Sequence, residues 1–274
     1  MFNTGGMTSV DLNADLAEGD TLTPRDLAVL DAVTSASLAC GFHAGGPAVM
    51  RGAAAACVER GVVIGAHVSF RDRQGFGRRV VSVEAPQLID DLVEQCRALA
   101  VEAAAVGGAV TFVKPHGALY HQMGVDPAVA YAVVESLVRL DLGVLVAQPD
   151  TVVVHQARAA GLEVVAEGFP DRGYLGDGRL APRHLPGGMV DDPDVAGRRA
   201  ISMVRRGGVD AVDGVWVPIE VATLCIHGDA PDAEVTARSV RASLEADGIT
   251  VGPFLASDAS DRTGHGRRPP TGDP

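Results

Sequence analysis

Lysine is almost absent from this chain of 274 residues: of its 23 basic residues, only Lys114 is a lysine. Basic residues as a whole are outnumbered by 35 aspartates and glutamates, and the formal net charge is −12. Nucleic acids and anionic membranes bind proteins through clustered Lys and Arg side chains, which displace counterions. The composition therefore predicts no nucleic-acid partner and no membrane partner, and it favours a small-molecule or protein partner.

Aromatic residues, cysteine pairs and long apolar runs are also scarce. Aromatic side chains make up only 4% of the chain, so a core must be built from Val, Leu and Ala. The four cysteines form no CxxC pair, which is typical of reduced thiols in a cytoplasm. No apolar run reaches the ~18 residues of a membrane span, and MFNTGGMTSV lacks the regions of a signal peptide. We therefore expect a cytoplasmic protein.

Short β-branched runs alternate with longer helical stretches along the chain. The clearest helix is expected over 86–106, where apolar residues follow a helical period. Proline follows a good N-cap residue at three more expected helix starts, after Thr23, Asp126 and Asp192. Strands are expected at 9–14, 36–40, 62–67, 109–113, 143–147, 162–167 and 222–227, with weaker candidates at 212–219 and 249–252. This alternation predicts an α/β fold with a parallel sheet.

The polar motifs decide between an open doubly wound sheet and a closed barrel. At least six expected strands run directly into ionisable residues. A doubly wound sheet gathers its ligands at two or three strand ends, whereas every loop of a barrel surrounds one mouth. We therefore predict an irregular (β/α) barrel of seven or eight strands. It is expected to occupy 9–256 as a single domain, between a flexible N-terminus (1–8) and a disordered tail (257–274).

The first strand carries the motif DLNADLAEG. Asp11, Asn13 and Asp15 alternate, so in an extended strand their side chains share one face. Unpaired carboxylates in a dry core cost several kcal/mol, and Glu18 follows in the next loop. A capping or calcium-like loop is the alternative, but the later glycine and glutamate of an EF-hand are missing. The motif therefore indicates a polar site inside the barrel.

Two histidines follow at the next strand ends. CGFHAGGP places His43 among glycines, and GAHVSF ends a strand near His67. The Gly-rich run matches neither GxxxxGK[ST] nor GxGxxG, so no nucleotide-binding motif is present. In the loop GFGRR, Arg78 is a candidate for binding an anionic substrate, since guanidinium groups match carboxylates. A solvated surface loop is the alternative for Arg71, Arg73 and Arg79.

The single lysine stands at the end of an apolar run, in VTFVKPH. An arginine keeps its proton in a protein, whereas a buried Lys114 can shift its pKa and act as base, nucleophile or compact charge. The alternative is chance survival of one lysine. His116 follows two residues later, on the same face of an extended chain.

Two later segments add charged residues. Residues 167–183 are rich in Gly and charge and include Asp171 and Arg172, which indicates a lid or substrate-binding loop, with a plain surface loop as the alternative. CIHGD brings His227 and Asp229 after the last clear strand. The absence of G-x-S-x-G, HExxH and paired CxxC argues against a serine hydrolase and the common zinc patterns. Whether a metal is bound stays open.

These segments resemble the LamB/YcsF family. DLNADLAEG, ACGFHAGGP, IGAHVSF with GFGRR, VKPHGALY, FPDRGY with DGRLAPR, and CIHGD occur in the family's order and cover about 11–229. The resemblance implies a barrel related to the glycoside hydrolase and deacetylase barrels. It also implies ATP-dependent cleavage of 5-oxo-L-proline to L-glutamate by a 5-oxoprolinase that includes subunits B and C. Ala17, Gly46, Val68 and His121 depart from the family's Gly, Asp, Pro and Asn.

Roles for the site residues follow from that expected reaction. Lys114 and a histidine would stabilise charge on the lactam oxygen or on a phosphate. Asp15, with His67 or His116, would act as general base, while Arg78 or Arg172 would hold the substrate carboxylate. The remaining substrate-binding candidates are Asp11, Asn13, Glu18, His43, Asp171, His227 and Asp229. ATP, with magnesium, is expected as co-substrate, bound in part or wholly by the partner subunits.

Two other functions fit the same residues. A metal-dependent deacetylase-like hydrolase would use an Asp and two His as ligands, with Asp15, His67 and His116 as the candidates. A non-catalytic subunit would only present 5-oxo-L-proline to its partners. The charged cluster argues against the second, because binding one small acid needs fewer titratable groups.

Overall fold

The computed structural model describes residues 9–228 and 232–255, in which strands and helices alternate. The strands are β1 (Ser9–Leu16), β2 (Ser35–Ala39), β3 (Val63–His67), β4 (Val110–Val113), β5 (Val144–Ala147), β6 (Glu163–Gly168), β7 (Gly208–Asp210), β8 (Trp216–Pro218), β9 (Thr223–Ile226) and β10 (Thr250–Val251). The helices are α1 (Pro24–Leu30), α2 (Pro47–Arg60), α3 (Ala85–Ala104), α4 (Gly117–Val125), α5 (Pro127–Leu140), α6 (Val152–Ala159), α7 (Pro193–Arg206) and α8 (Ala233–Ala246). Among these residues, no helix combines the length and apolar character needed to cross a membrane.

Seven parallel strands close into a barrel. β1, β2, β3, β4, β5, β6 and β9 pair in that order, and β9 pairs in turn with β1. Asn13 of β1 lies opposite Ser35 of β2 on one side and Cys225 of β9 on the other. The predicted (β/α) barrel is thereby confirmed, with seven strands in the ring. The open doubly wound alternative is wrong, because β1 and β9 pair with each other and leave no open edge.

The predicted strands and helices are present in the structure, with small shifts at their ends. All seven clear strands are confirmed, and the helix expected over 86–106 is α3. The weaker candidate at 212–219 is β8, which pairs with β7 in an antiparallel hairpin outside the ring. The weaker strand candidate at 249–252 is β10, which pairs with the first residues of β1. The expected flexible N-terminus 1–8 and tail 257–274 lie outside the described residues.

The three predicted N-caps explain where their helices begin. Thr23 accepts a hydrogen bond from the Asp26 amide in a capping box, ahead of α1. Asp126 and Asp192 cap α5 and α7 more simply, each side chain accepting hydrogen bonds from two backbone amides of the first turn. Proline at the first helical position has no amide hydrogen to leave unpaired.

The barrel interior is apolar on one side and polar on the other. Phe112, Val144, Val146 and Val165 form a buried cluster on β4, β5 and β6. Gly65 of β3 makes room for Phe112, since a Cβ there would lie 2.1 Å from the ring. The polar side chains of β1 and β9 occupy the opposite side of the interior. They meet the residues that follow β3 and β4 at the carboxyl ends of the strands, where a barrel places its sites.

Candidate active site

The single lysine lies at the centre of a buried polar cluster. Its Nζ is 2.8 Å from Asp15 Oδ1, 2.7 Å from Glu167 Oε1, 2.8 Å from Asn13 Oδ1 and 3.0 Å from Cys225 Sγ. Burial disfavours the ammonium, but Asp15, Cys225 and Glu167 outweigh it and raise the pKa of Lys114 well above its ordinary value. Lys114 is therefore a fixed positive charge rather than a group that titrates near neutral pH.

Asp15 is held as a carboxylate in the same cluster. Its Oδ2 lies 3.4 Å from His67 Nε2. Burial would raise the pKa of Asp15, but His67 and Lys114 together hold it well below its ordinary value. Asp15 is therefore ionised at neutral pH.

Asp11 and Asn13 support the cluster from the same strand. Asp11 accepts hydrogen bonds from Thr34 Oγ1 (2.7 Å), Ser35 Oγ (2.8 Å) and Thr223 Oγ1. Asn13 Nδ2 donates to Glu167 Oε1 at 3.1 Å, while its Oδ1 accepts from the lysine. The predicted shared face of Asp11, Asn13 and Asp15 is thus the polar side of the interior. Burial raises the pKa of Asp11 despite these hydrogen bonds.

Glu167 is the main residue that the sequence analysis did not assign to the site. It is fully buried near the end of β6, and Tyr120 donates a 2.8 Å hydrogen bond to its Oε2. Its signal was present in the alternation of β6, because Val165 faces the barrel interior and Glu167 is two residues later. Tyr120 and Cys225 had no comparable signal, since their contacts cross the fold.

Three imidazoles and one carboxylate form a second cluster beside the first. The rings of His43 and His116 stack with centroids 4.0 Å apart, and His67 packs edge-on against both. Glu18 Oε1 lies 3.2 Å from His43 Nε2 and 3.2 Å from His116 Nδ1.

Burial and the neighbouring rings favour neutral imidazoles at two of these positions. They lower the pKa of His116 to about 3, and they hold that of His43 far below its ordinary value. For His67, burial acts in the same direction, but Asp15 and Glu18 outweigh it and raise the pKa. The cluster therefore combines imidazole nitrogen lone pairs with carboxylate charge.

A cleft of about 1140 Å³ opens onto both clusters. Asp15, Glu18, His67, Lys114 and His116 line it, together with residues 175–183 of the long loop after β6. The long loop therefore forms part of the cleft wall, and its role in binding substrate stays a prediction. The lining also includes Arg78, Arg172 and His227.

The remaining predicted residues lie around these clusters with distinct partners. Asp171 accepts hydrogen bonds from both the amide (2.9 Å) and Nδ1 (2.8 Å) of His227, and so orients that ring. Arg172 donates to the carbonyls of Gly188 (3.1 Å) and Ala181 (2.7 Å), which ties the long loop together. Arg78 is exposed, with its guanidinium 5.0 Å from the Phe76 ring centroid. Asp229 lies outside the described residues.

The other loop arginines have structural partners. Arg73 donates to the carbonyls of Gly41 (3.0 Å) and Gly45 (2.8 Å), and Arg79 pairs with Asp72. Arg71 lies over the Phe42 ring at 3.8 Å. These contacts hold the 71–79 loop against the barrel mouth, beside His43 and His116.

The ligand set expected for a metal-dependent hydrolase differs from the set that lies together. Asp15 pairs mainly with Lys114, while Glu18 and His43 join His67 and His116. All four ligand atoms of that group lie within 4.8 Å of one another.

Comparison with known proteins agrees with the fold and the motifs. A sequence model of the LamB/YcsF family matches residues 10–259. The chain belongs to the LamB/YcsF family. Within it, the chain is 45% identical over 251 residues to a protein of Mycolicibacterium gilvum (strain PYR-GCK) named as the A subunit of 5-oxoprolinase, covering 90% of this chain and 100% of that relative.

One solved structure of a similar protein has the same fold. A lactam utilization protein from Thermus thermophilus is 42% identical and superimposes with a TM-score of 0.85, covering 90% of this LamB/YcsF chain and 100% of that one. A family 4 carbohydrate esterase from Streptomyces lividans aligns over 90% of the chain at 12% identity with a TM-score of 0.46, and no conclusion about this chain follows from it.

Proposed function

We propose that this chain is the A subunit of an ATP-dependent 5-oxoprolinase, which opens 5-oxo-L-proline to L-glutamate. The observation that carries the proposal is 45% identity over the whole length of a relative named as the A subunit of 5-oxoprolinase. The cleft supports it, because a fixed cation, an ionised carboxylate and several imidazoles line one space. We further propose that ATP, with magnesium, is bound with the help of subunits B and C, and that the complex is cytoplasmic.

The reaction places clear demands on the residues of the cleft. Opening a lactam requires a water oxygen to bond to the carbonyl carbon, a proton to leave that water, and the ring nitrogen to gain a proton as the C–N bond breaks. Negative charge develops on the carbonyl oxygen in between. A nearby positive charge and a positioned base lower the barrier to these steps.

Asp15 and Lys114 are suited to two of these demands. Asp15 is ionised and paired with His67, so it is our candidate for accepting the proton from water. Lys114 keeps its charge and holds Asp15 in place. With a histidine it would stabilise charge on the carbonyl oxygen, or on a phosphoryl group that ATP transfers to that oxygen and that leaves as phosphate when water has added to the carbon. His116 also lines the cleft and is a further candidate catalytic group.

The substrate carboxylate needs a cation beside the cleft. Two of the Arg172 nitrogens already donate to backbone carbonyls, and its burial lowers the pKa. Arg78 is exposed and lines the cleft, which makes it the better of the two candidates. Asp11, Asn13, Asp171 and His227 would act by holding the groups that meet substrate.

The test is glutamate release from 5-oxo-L-proline with ATP and magnesium. It compares the chain alone, subunits B and C alone, and all three together. Glutamate from the complete mixture only would support the proposal, and its absence from a mixture of folded subunits would overturn it. A complete mixture containing folded Lys114→Met should release no glutamate; full release would overturn the role assigned to Lys114.

A further inference from the structure

Four side chains from four strand ends converge on one point. Glu18, His43, His67 and His116 follow or end β1, β2, β3 and β4 in turn. His116 Nδ1 lies 3.0 Å from His67 Nε2, and Glu18 Oε1 lies 3.9 Å from the same His67 nitrogen. The three rings are almost fully buried.

His67 and His116 each donate a hydrogen bond from the ring nitrogen that is not part of the cluster. His67 Nδ1 lies 2.9 Å from the Lys114 carbonyl oxygen, and His116 Nε2 lies 2.8 Å from the Phe76 carbonyl oxygen. A carbonyl oxygen can only accept, so the hydrogens are on those two nitrogens. In the neutral rings the lone pairs are then on His67 Nε2 and His116 Nδ1, which face each other.

His43 is oriented in the same way by a serine. The Ser69 hydroxyl donates to the Phe70 carbonyl at 2.9 Å, so its oxygen accepts from His43 Nδ1 at 3.0 Å. The lone pair of His43 is therefore on Nε2, which faces the Glu18 carboxylate. With His67 in its neutral form, three lone pairs and one carboxylate face one another, and a bound cation would satisfy all four.

We propose that His43, His67, His116 and Glu18 bind one divalent first-row transition metal ion. Ligands held ~2.0–2.1 Å from a tetrahedral ion are separated by ~3.3–3.4 Å. Four of the six separations between ligand atoms, at 3.0, 3.2, 3.2 and 3.9 Å, lie around that value, and all six are within 4.8 Å. Three imidazoles and a carboxylate suit Zn²⁺, Fe²⁺, Co²⁺ or Ni²⁺, whereas Mg²⁺ and Ca²⁺ prefer oxygen ligands.

The surrounding residues resemble the supports of a metal centre. Metal-bound histidines generally donate their second nitrogen to a carbonyl, hydroxyl or carboxylate, which fixes the ring. The loop backbone also packs onto the rings: a Cβ at Gly77 would lie 2.7 Å from His116 Cδ2 and 2.9 Å from His43 Cβ. The alternative to a metal ion is a proton shared between His67 Nε2 and His116 Nδ1.

The experiment uses the full chain without an affinity tag, stripped of metal by a chelator and titrated with Co²⁺. We expect one Co²⁺ per chain, a visible absorption band typical of nitrogen and oxygen ligands, and displacement by Zn²⁺. Elemental analysis of the protein as purified should find the same stoichiometry. A folded wild-type protein that binds no Co²⁺ or Zn²⁺ would overturn the proposal in favour of the shared proton.

Variants of the proposed ligands distinguish a specific metal site from nonspecific binding of Co²⁺ to other histidines. Glu18→Gln and His67→Gln should weaken Co²⁺ binding by more than about 100-fold. Ser69→Ala should weaken it by about 10- to 100-fold, since it keeps all four ligands and removes the hydroxyl that orients His43. His121→Ala is the matched control, because His121 lines the same cleft outside the cluster and its loss should leave affinity unchanged. Circular dichroism verifies the fold of each variant. Wild-type affinity in folded His67→Gln and Ser69→Ala proteins would refute the assignment.

Discussion

Replacing Lys114 by methionine tests the electrostatic core of the site. Methionine has a similar length and fills the same space without charge or donors. The change leaves the carboxylates of Asp15 and Glu167 without the ammonium that lies 2.8 and 2.7 Å from them. Glu167 is fully buried, so water cannot replace the lost partner there.

Removing one partner from a buried ion pair costs about 3–5 kcal/mol, mostly because the remaining charge is left buried. We expect the free energy of unfolding of Lys114→Met to fall by about that amount at neutral pH. The pKa of Lys114 is raised by folding, so its stabilising contribution is complete below its unfolded pKa of about 10.4 and is lost only as pH rises through the higher folded value. The deficit should therefore be visible throughout the neutral range.

Urea unfolding of wild type, Lys114→Met, Glu167→Gln and the double variant measures the coupling directly. We expect the double variant to be about 1–3 kcal/mol more stable than the sum of the single losses predicts. Arg139→Met is the control: Arg139 forms an exposed pair with Glu135 at 3.0 Å, and its loss should cost about 1 kcal/mol or less. A Lys114→Met loss no larger than the control, or strict additivity, would refute the reasoning.

Two further predictions concern other parts of the barrel. Burial would raise the pKa of Asp171, but His227 lowers it overall, so its stabilising contribution is present above the unfolded pKa of about 3.9 and is lost as pH falls through the folded value. Asp171→Asn should lower the free energy of unfolding by about 1–3 kcal/mol near neutral pH. In acid, the urea midpoint of the variant should approach that of wild type. A difference between the two midpoints that persists in acid would contradict this prediction. Gly65→Ala should destabilise by about 1–3 kcal/mol or more through overlap with Phe112. In thermal unfolding, Phe112→Leu should restore part of that loss, and a fully stable Gly65→Ala would contradict the packing.

The strands were predictable from local patterns, and the closed barrel was predictable from the ionisable residues that follow successive strands. The polar alternation of Asp11, Asn13 and Asp15 predicted one shared face, and all three side chains are buried on the polar side of the barrel. Ionisable residues at successive strand ends predicted a common mouth. There the structure brings together His67, Lys114 and the other residues that line the cleft.

The partners of each side chain were not predictable, because they depend on contacts between distant segments. Arg172 was expected to bind substrate, yet its guanidinium also holds carbonyls 9 and 16 residues away in the same loop. Cys225 reaches Lys114 across 111 residues of sequence. The grouping of Glu18 with His43, His67 and His116 likewise depends on residues at or after the ends of four different strands. The substrate-binding and catalytic roles of the predicted residues stay predictions.

The geometry around Nζ explains why a chain so rich in arginine keeps one lysine. Four acceptors lie within 3.0 Å of that single nitrogen, on three different strands and in three dimensions. An ammonium presents three donors in tetrahedral directions from one atom, which the four acceptors share, whereas a guanidinium spreads five donors in a plane and is larger. Lys114→Arg should therefore lose glutamate release in the complete 5-oxoprolinase mixture, although the positive charge is kept. If Lys114→Arg retained turnover while Lys114→Met did not, charge alone would suffice, and the compactness of the ammonium would have no role.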